Sequence, residues 1–314
     1  MAEKRCSSII VYFSDPAALL RCLQSIVTRA PSSSSEVIIV NNSCGELPFT
    51  KVKSLAIKII NNTNNVGFAR ACNQGAAAAC GQWLLFLNPD TELTDDFVQK
   101  GIDFLVANPA TGMLGPALIG LDNHIQVSAY RHISFSRLLQ ESLLVDRVLS
   151  CHNSFGHSGV LPAPALCPMQ VDWVCGAAML ISKEVFDRLN GFNTEYFLYF
   201  EDVELCDKIR RSGRHVIYFP QYRVRHFDKQ ARDLYNEKFG SVVKIVAINR
   251  SILTYWKNCG YNMFLLKSLL AVRTTIRLAL WAAVYPFTAD RDSVRQRLLG
   301  YWQVLHELLR GHAI

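Results

Sequence analysis

WLLFLNPD, residues 83–90, is a run of five apolar residues that stops at a polar turn. A strand half exposed to water alternates apolar and polar side chains, whereas an unbroken apolar run of this length fits a strand covered on both faces. The same pattern recurs upstream. Ser8 to Phe13 (SIIVYF) leads into Asp15-Pro16 and then into Leu19, Leu20, Leu23, Ile26 and Val27, which have helical spacing. That is a strand, an N-cap turn and a helix. Glu36 to Val40 (EVIIV) ends at Asn41-Asn42-Ser43, and Ile57 to Ile60 ends at Asn61-Asn62. After Gly67-Phe68-Ala69, the Ala-rich stretch from Arg70 to Cys80 reads as a helix. Continuous apolar strands separated by helices predict an α/β fold, a Rossmann-like and mostly parallel sheet buried on both faces and flanked by helices. In such sheets ligands bind beyond the carboxyl ends of the strands, so the polar strand ends mark where chemistry is expected.

Beyond this core the pattern loosens. Residues 120–170 read as an irregular excursion that lines or covers a site, with a helical patch near 137–149 and a Pro-rich stretch at 162–168. Sheet character returns at Val171 to Ile181, followed by a helix from Lys183, a loop at Gly191 to Tyr196, a helix starting near Glu201 and a strand at His215 to Phe219.

Half of the 314 residues are apolar and 19% are charged, which excludes disorder and requires a substantial core. The formal charge of +7 is unevenly placed: residues 1–240 are balanced, while residues 241–314 carry 10 basic side chains against 3 acidic ones. A neutral body with a basic tail speaks against a main domain that grips nucleic acid. It points to an anionic surface, such as lipid headgroups, met by the C-terminal part alone. We therefore divide the chain into a catalytic domain at 1–240 and a basic helical tail at 241–314. The ten cysteines contain no C-x-x-C pair and read as reduced, buried small residues of a cytoplasmic protein. Cys151, His152, His157 and Cys167 lack zinc-site spacing and read as loop. Met1 to Ser8 lacks the apolar core of a secretory signal.

Several polar residues carry chemistry or an ordinary structural role, and residue type alone leaves both open. Asp90 stands at a strand end, where a hard divalent cation finds the one or two carboxylates it needs beside substrate phosphates; Asn-Pro-Asp is equally an ordinary turn that caps a helix from Thr94. Glu201-Asp202 follows Tyr196-Phe197-Leu198-Tyr199-Phe200 at a helix start. Apolar surroundings disfavour ionisation and a helix N-terminus favours it, so the pair suits a general base or merely complements the helix dipole. His226 is either a metal ligand or surface decoration after two arginines. Gly67 to Arg70, with Asn73 and Gly75, offers phosphate a helix N-terminus and a cation.

In this order, the N-x-G-F-A…N-x-G block at 65–75, the L-N-P-D block at 87–90 and the Y-F-E-D block at 199–202 resemble the family 2 inverting glycosyltransferases of the GT-A fold. The resemblance covers Ser8 to His226 and looks nearest to the rhamnosyltransferase-like enzymes of bacterial surface polysaccharide assembly, O-antigen included. It implies a nucleotide-sugar co-substrate, linked to dTDP or UDP, and Mg²⁺ or Mn²⁺. Asp90 would hold the ion that bridges the donor diphosphate, with Asn88 contacting donor or metal indirectly. His226 would be the late metal ligand. Asp202, beside Glu201, would be the general base. Val11, Tyr12 and Phe13 with Asn41, Asn42 and Ser43 would surround the nucleotide base, and Gly67 and Arg70 would lie on the nucleotide side. Trp173, Gly176 and Ala177 would flank the acceptor, with Tyr199 from the aromatic run. The sequence departs from the family pattern at Val40, where an Asp that helps read the pyrimidine is usual, at Phe13, where Asn is common, and at Asn193-Thr194 in place of Asp-Glu.

The tail adds a second expectation. From Tyr261 to Phe287, Lys267, Arg273 and Arg277 fall within an arc of about 120° on a helix and leave a broad apolar face. The longest uncharged apolar run, Leu278 to Phe287, is too short to span a bilayer. With a second helix at Arg291 to Arg310, this predicts a segment lying in the headgroup plane on the cytoplasmic face of the inner membrane, where a polyprenyl-linked glycan acceptor is delivered. The alternative is that these helices pack on the catalytic domain or on a partner subunit, as in a homodimer. A rival to the enzymatic reading is a non-catalytic sugar-nucleotide-binding scaffold of a polysaccharide assembly complex.

Overall fold

The computed structural model describes residues 6–30, 35–43, 45–47, 55–131 and 167–310. The described residues fall into two compact units. The first comprises those up to 131 together with 167–194 and 201–232, and the second comprises 195–200 and 233–310.

The first unit opens with the predicted alternation. Strand β1 (Cys6–Tyr12) is buried along its whole length and leads into α1 (Pro16–Arg29), whose N-cap Asp15 accepts the backbone N–H of Ala18 at 2.9 Å. Then follow β2 (Ser35–Asn41), β3 (Ala56–Asn61), α2 (Phe68–Ala78), β4 (Trp83–Leu87), β5 (Thr91–Leu93), α3 (Phe97–Ala107) and β6 (Thr111–Ile119). Two-residue strands β7 (Ile125–Gln126) and β8 (Ala129–Tyr130) come next, and the chain resumes with β9 (Met169–Val171), β10 (Trp173–Val174), β11 (Ala178–Ser182), α4 (Lys183–Arg188), α5 (Glu201–Arg211) and β12 (His215–His226).

The main sheet has the order β3-β2-β1-β4-β11-β6-β12-β5, with the first four strands parallel and β11 antiparallel to both its neighbours. Alternate residues of β1 serve two cores. Ile9 and Val11 join Phe86, Phe186 and Cys206 on one face, while Ile10 and Tyr12 join Leu19, Leu23 and Phe97 on the other. Chain order reverses between β1 and β4, the two strands that end at Tyr12 and at Leu87, and it is beyond the carboxyl ends of strands at such a reversal that open α/β sheets bind their ligands.

Several expectations are corrected. β3 is a partly exposed edge strand rather than one buried on both faces, because among the described residues β2 is its one partner in the sheet. The apolar stretch 171–181 is broken into β9, β10 and β11, with β10 leaving the main sheet to pair with β8. No helix begins at Thr94. Asp90 precedes β5, and α3 starts at Phe97, whose N–H is taken by Asp95. The last strand runs past Phe219 to His226, with an irregularity in its pairing to β6 between Phe219 and Arg223, around Pro220. Cys80 and Cys167 are exposed and Cys175 and Cys259 half-buried, whereas Cys6, Cys22, Cys72 and Cys206 are buried as expected. The helical patch at 137–149, most of the Pro-rich stretch, and Cys151, His152 and His157 lie outside the described residues.

The second unit is helical. It holds most of α6 (Asp228–Asn258), then α7 (Met263–Val284), a single 3-10 turn at Tyr285–Phe287 and α8 (Arg291–Arg310). The division drawn at 240/241 falls inside α6. Gly300 brings α8 against Val242 and Ile245 of α6, and the Arg250 guanidinium grips the Glu307 carboxylate through two bonds of 3.1 and 2.8 Å. Asn262 caps α7 by accepting from the N–H groups of Phe264 and Leu265. No helix of the described residues is long and apolar enough to cross a membrane.

Candidate active site

The rim of the sheet is assembled by backbone bonds that tie distant segments together. The N–H of Asn88 donates to the carbonyl of Ala177 at 2.9 Å, so the turn after β4 is fixed beside the start of β11. One residue earlier, the N–H of Gly176 donates to Oδ2 of Asp202 at 2.8 Å, while Oδ1 accepts the N–H of Val203 at 2.9 Å. A side chain at position 176 would put its Cβ 3.2 Å from Oδ2, so this approach favours glycine. On the other side of the same turn, the carbonyl of Asp90 accepts the N–H of Phe227 at 2.9 Å, and Nε2 of His226 lies 3.7 Å from Oδ2 of Asp90. The antiparallel pairing of β12 with β5 sets His226 opposite Thr91 and thereby beside Asp90. Asp202, Gly176, Ala177, Asn88, Asp90 and His226 thus form one connected chain of neighbours within the first unit.

A second cluster lies at the ends of β1, β2 and β3. The carbonyl of Tyr12 accepts the N–H of Asn42, whose side-chain amide donates to the carbonyl of Gly67 and accepts from Asn62. Asn41 accepts from both the N–H and the hydroxyl of Ser43 and donates to Asn61. Gly67, at φ 87° and ψ 167°, occupies a conformation open to glycine and starts α2, with Arg70 exposed in its first turn. Val11 is buried and Phe13 half-buried at the end of β1. Trp173 stacks on Tyr130 with ring centroids 3.8 Å apart and donates its indole N–H to the carbonyl of Arg131. Tyr199 belongs to the second unit; it and Phe200 both have positive φ, near 70°.

Electrostatics separates the two adjacent acids. Burial holds both carboxyl groups above their ordinary range. The effect is larger at Glu201, which is 5% exposed and whose Oε2 has no hydrogen-bond partner among the described residues; the neighbouring Asp202 charge adds to it. At Asp202, the N–H groups of Gly176 and Val203 work against burial. Both acids sit in the first turn of α5, so here burial outweighs the helix dipole. Both acids are thus of raised basicity, Glu201 pushed further toward its neutral form and Asp202 held back by its two backbone donors.

The raised value of Glu201 has a consequence for folding. Above the ordinary glutamate range the unfolded chain has released this proton while the folded chain still holds it, so stability falls as pH rises, until the folded pKa is passed. Glu201→Gln removes that slope. The variant is expected to melt higher than the parent at neutral and alkaline pH, by about 2–4 °C for each kcal/mol of penalty removed. Calorimetry between pH 5 and 9 checks this, and parallel profiles for the two proteins would refute it.

Gln126 was not anticipated. Its Nε2 donates to the carbonyl of His226 at 3.1 Å, which fixes the amide orientation and turns Oε1 toward Nδ1 of the ring, 3.0 Å away. Nδ1 then carries the hydrogen and, in the neutral ring, Nε2 presents its lone pair toward Asp90. A glutamine in a two-residue strand leaves no periodic signal, and its partner is 100 positions away. Among the described residues, no group of three or more His, Cys, Asp and Glu side chains is placed to hold a metal.

Comparison with known proteins gives a consistent result. Residues 7–160 match the family model for glycosyl transferase family 2, and residues 162–230 match that for the N-terminal domain of galactosyltransferase. The chain is 24% identical over 230 residues, 69% of its own length and 74% of the relative's, to the N-acetylglucosaminyl-diphospho-decaprenol L-rhamnosyltransferase of Mycobacterium tuberculosis. It is 26% identical over 247 residues, 72% of its own length and 17% of the relative's, to the O-antigen biosynthesis protein RfbC of Myxococcus xanthus. A 57-residue stretch, 18% of this chain and 22% of the relative, is 39% identical to the rhamnosyltransferase WbbL of Escherichia coli. Among solved structures, that of GalNAc-T7 with UDP, GalNAc and Mn2+ superposes with a TM-score of 0.51 at 16% identity over 71% of this chain and 43% of that one, a likeness of fold. With two contiguous family matches laid on a sheet of this topology, the chain belongs to the family 2 glycosyltransferases and its first unit has the GT-A fold.

Proposed function

We propose that this glycosyltransferase moves a sugar, rhamnose from dTDP-rhamnose as first choice, from a nucleoside diphosphate donor to a polyprenyl-linked glycan with inversion at the transferred carbon. Residues 1–240 act as the catalytic domain, and the basic tail rests on the cytoplasmic face of the membrane that carries the acceptor. The observation that supports this best is the tie between Gly176 and Asp202, which brings a carboxylate of raised basicity to the turn that bears Asp90. Names of relatives support the choice of sugar and acceptor, since one acts on a decaprenol-linked acceptor.

The Asp90–His226 pair suits a divalent cation: one carboxylate oxygen and one imidazole nitrogen with its tautomer set by Gln126, the remaining positions falling to donor phosphates and water. Bound there, Mg²⁺ or Mn²⁺ would offset the charge gathering on the departing diphosphate. The protein's own groups do the rest. Oδ of Asp202 takes the proton of the acceptor hydroxyl as that oxygen bonds to the sugar's anomeric carbon and the bond from that carbon to the diphosphate oxygen breaks, in a single displacement. Gly67 and the first turn of α2, with Arg70, face the donor's phosphates, and the asparagine cluster at Asn41 and Asn42 borders the nucleotide base. Trp173, on its platform with Tyr130, borders the acceptor.

A panel of nucleotide sugars with Mn²⁺ or Mg²⁺ tests the donor. The true donor raises the melting temperature in a metal-dependent way, by linkage to the folded state, and supports transfer to a polyprenyl-diphosphate-linked sugar. Neither stabilisation nor transfer nor donor hydrolysis with any member of the panel would overturn the reading in favour of a scaffold.

A further inference from the structure

We propose that the outward face of α7 is the surface by which this protein lies on an anionic lipid bilayer. This deepens the membrane contact proposed above and rests on it, naming the face and its orientation.

The sequence places Lys267, Arg273 and Arg277 together on one side of the helix, and water is the ordinary place for such a side. The structure turns it the other way. Arg273 is buried, at 6% exposure, and Leu266, Leu270 and Thr274 are buried on the same side. Arg277 donates to the hydroxyl of Tyr301 on α8 at 3.0 Å, and Arg297 of α8 sits over the Trp281 ring, 4.4 Å from its centre. The cationic side is thus turned into the helical unit.

The opposite side is what meets the surroundings. Leu265, Ser268, Val272, Thr275, Ala279 and Ala283 recur at helical spacing and are all exposed, Leu265 at 59% and Val272 at 48%. This stripe bears no charge along a helix about 33 Å long. Even the Thr275 hydroxyl is used internally, donating to the carbonyl of Ala271 at 2.9 Å. Aromatic residues mark both ends: Phe264 in the first turn is 78% exposed, and Phe287 in the turn after α7 is 89% exposed. A helix that hides arginines and shows leucine, valine and phenylalanine gains nothing from water outside it.

Charge selects the occupant. Residues 241–314 carry a net +7, with Arg291 and Arg295 exposed just past the Phe287 end of the stripe. Packing this face on a second copy would bring two such basic units together, whereas anionic headgroups neutralise them. No helix of the described residues can cross the bilayer, so the fitting geometry is a helix lying in the interface with aromatic ends among the headgroups.

The test uses the full chain, flotation with vesicles of phosphatidylcholine alone or with 30 mol% phosphatidylglycerol (about one anionic lipid in three, enough to set up a surface potential), and the variants Val272→Glu and Ala279→Glu. Both changes add a charge at an exposed position; circular dichroism and transfer to a water-soluble acceptor are expected to match the parent. The parent should bind anionic vesicles, more weakly as salt rises, and each variant should bind about ten-fold or more weakly. A third variant, Val272→Trp, should show a blue-shifted emission on adding the same vesicles. If the parent binds and both glutamate variants bind equally well, with the emission of the Val272→Trp variant unmoved, the face is wrong while peripheral attachment survives. If the parent binds no vesicle and sediments as a dimer that Val272→Glu dissociates, the membrane reading itself falls.

Discussion

Asp202→Asn is expected to reduce the turnover number by about 10²–10⁴-fold while leaving metal-dependent donor binding close to that of the parent. The change preserves shape. An asparagine oxygen can still accept the N–H of Gly176, so the tie between α5 and the start of β11 persists and the fold should hold. What disappears is the ability to take a proton, together with the second oxygen that accepts the N–H of Val203. Because burial holds this acid above its ordinary range, the parent should lose activity as pH falls through that raised value, and the variant should lack that acid limb. Calorimetric titration of the nucleotide, a pH–rate profile and a transfer assay read the three quantities separately. An Asn variant that retains full activity would remove Asp202 from the base role, and one that loses donor binding as well would make its role structural.

How legible these arrangements were in the sequence depends on the range over which each is determined. Trp83 to Leu87 and Ile9 to Val11 announce central strands because burial on both faces demands unbroken apolar residues, a property of the strand itself. The Asp15 cap is equally local. The two-residue strands β7 and β8 carry no period, so the position of Gln126 under His226 had no signature in its own segment. On α7 the angular grouping of the cations was readable and its direction was not, since spacing fixes which residues share a side while the neighbours decide which side is covered. Tyr301 and Trp281, which meet Arg277 and Arg297, make that choice. At Glu201 and Asp202 the sequence stated a contest between aromatic burial and the helix N-terminus, and its outcome required the hydrogen-bond count: two backbone donors for Asp202, an orphan oxygen for Glu201.

The Asp90–His226 pair yields the second large effect. Asp90→Ala leaves the imidazole without its carboxylate neighbour, while the backbone bonds at Asn88 and Phe227 and the bond from the Thr91 hydroxyl to the carbonyl of Asn88 remain, so the turn itself should persist. Loss of a charge-stabilising cation costs several kcal/mol of transition-state stabilisation, so turnover should fall by about 10³-fold, and Mn²⁺ should no longer tighten nucleotide binding. Gln126→Leu separates position from ligation. It removes both bonds to His226, one to the ring and one to the carbonyl, yet deletes no metal donor, so the ring can turn and the tautomer is no longer set. Mn²⁺ affinity, followed by electron paramagnetic resonance in the absence of substrate, is expected to fall by about 10–100-fold in that variant. Gln126→Glu, which keeps an acceptor for Nδ1, should recover most of the loss. If Mn²⁺ affinity is unchanged in both Asp90→Ala and Gln126→Leu, the cation is held elsewhere, and the proximity of Asp90 to His226 is a contact that shapes the rim and does no more.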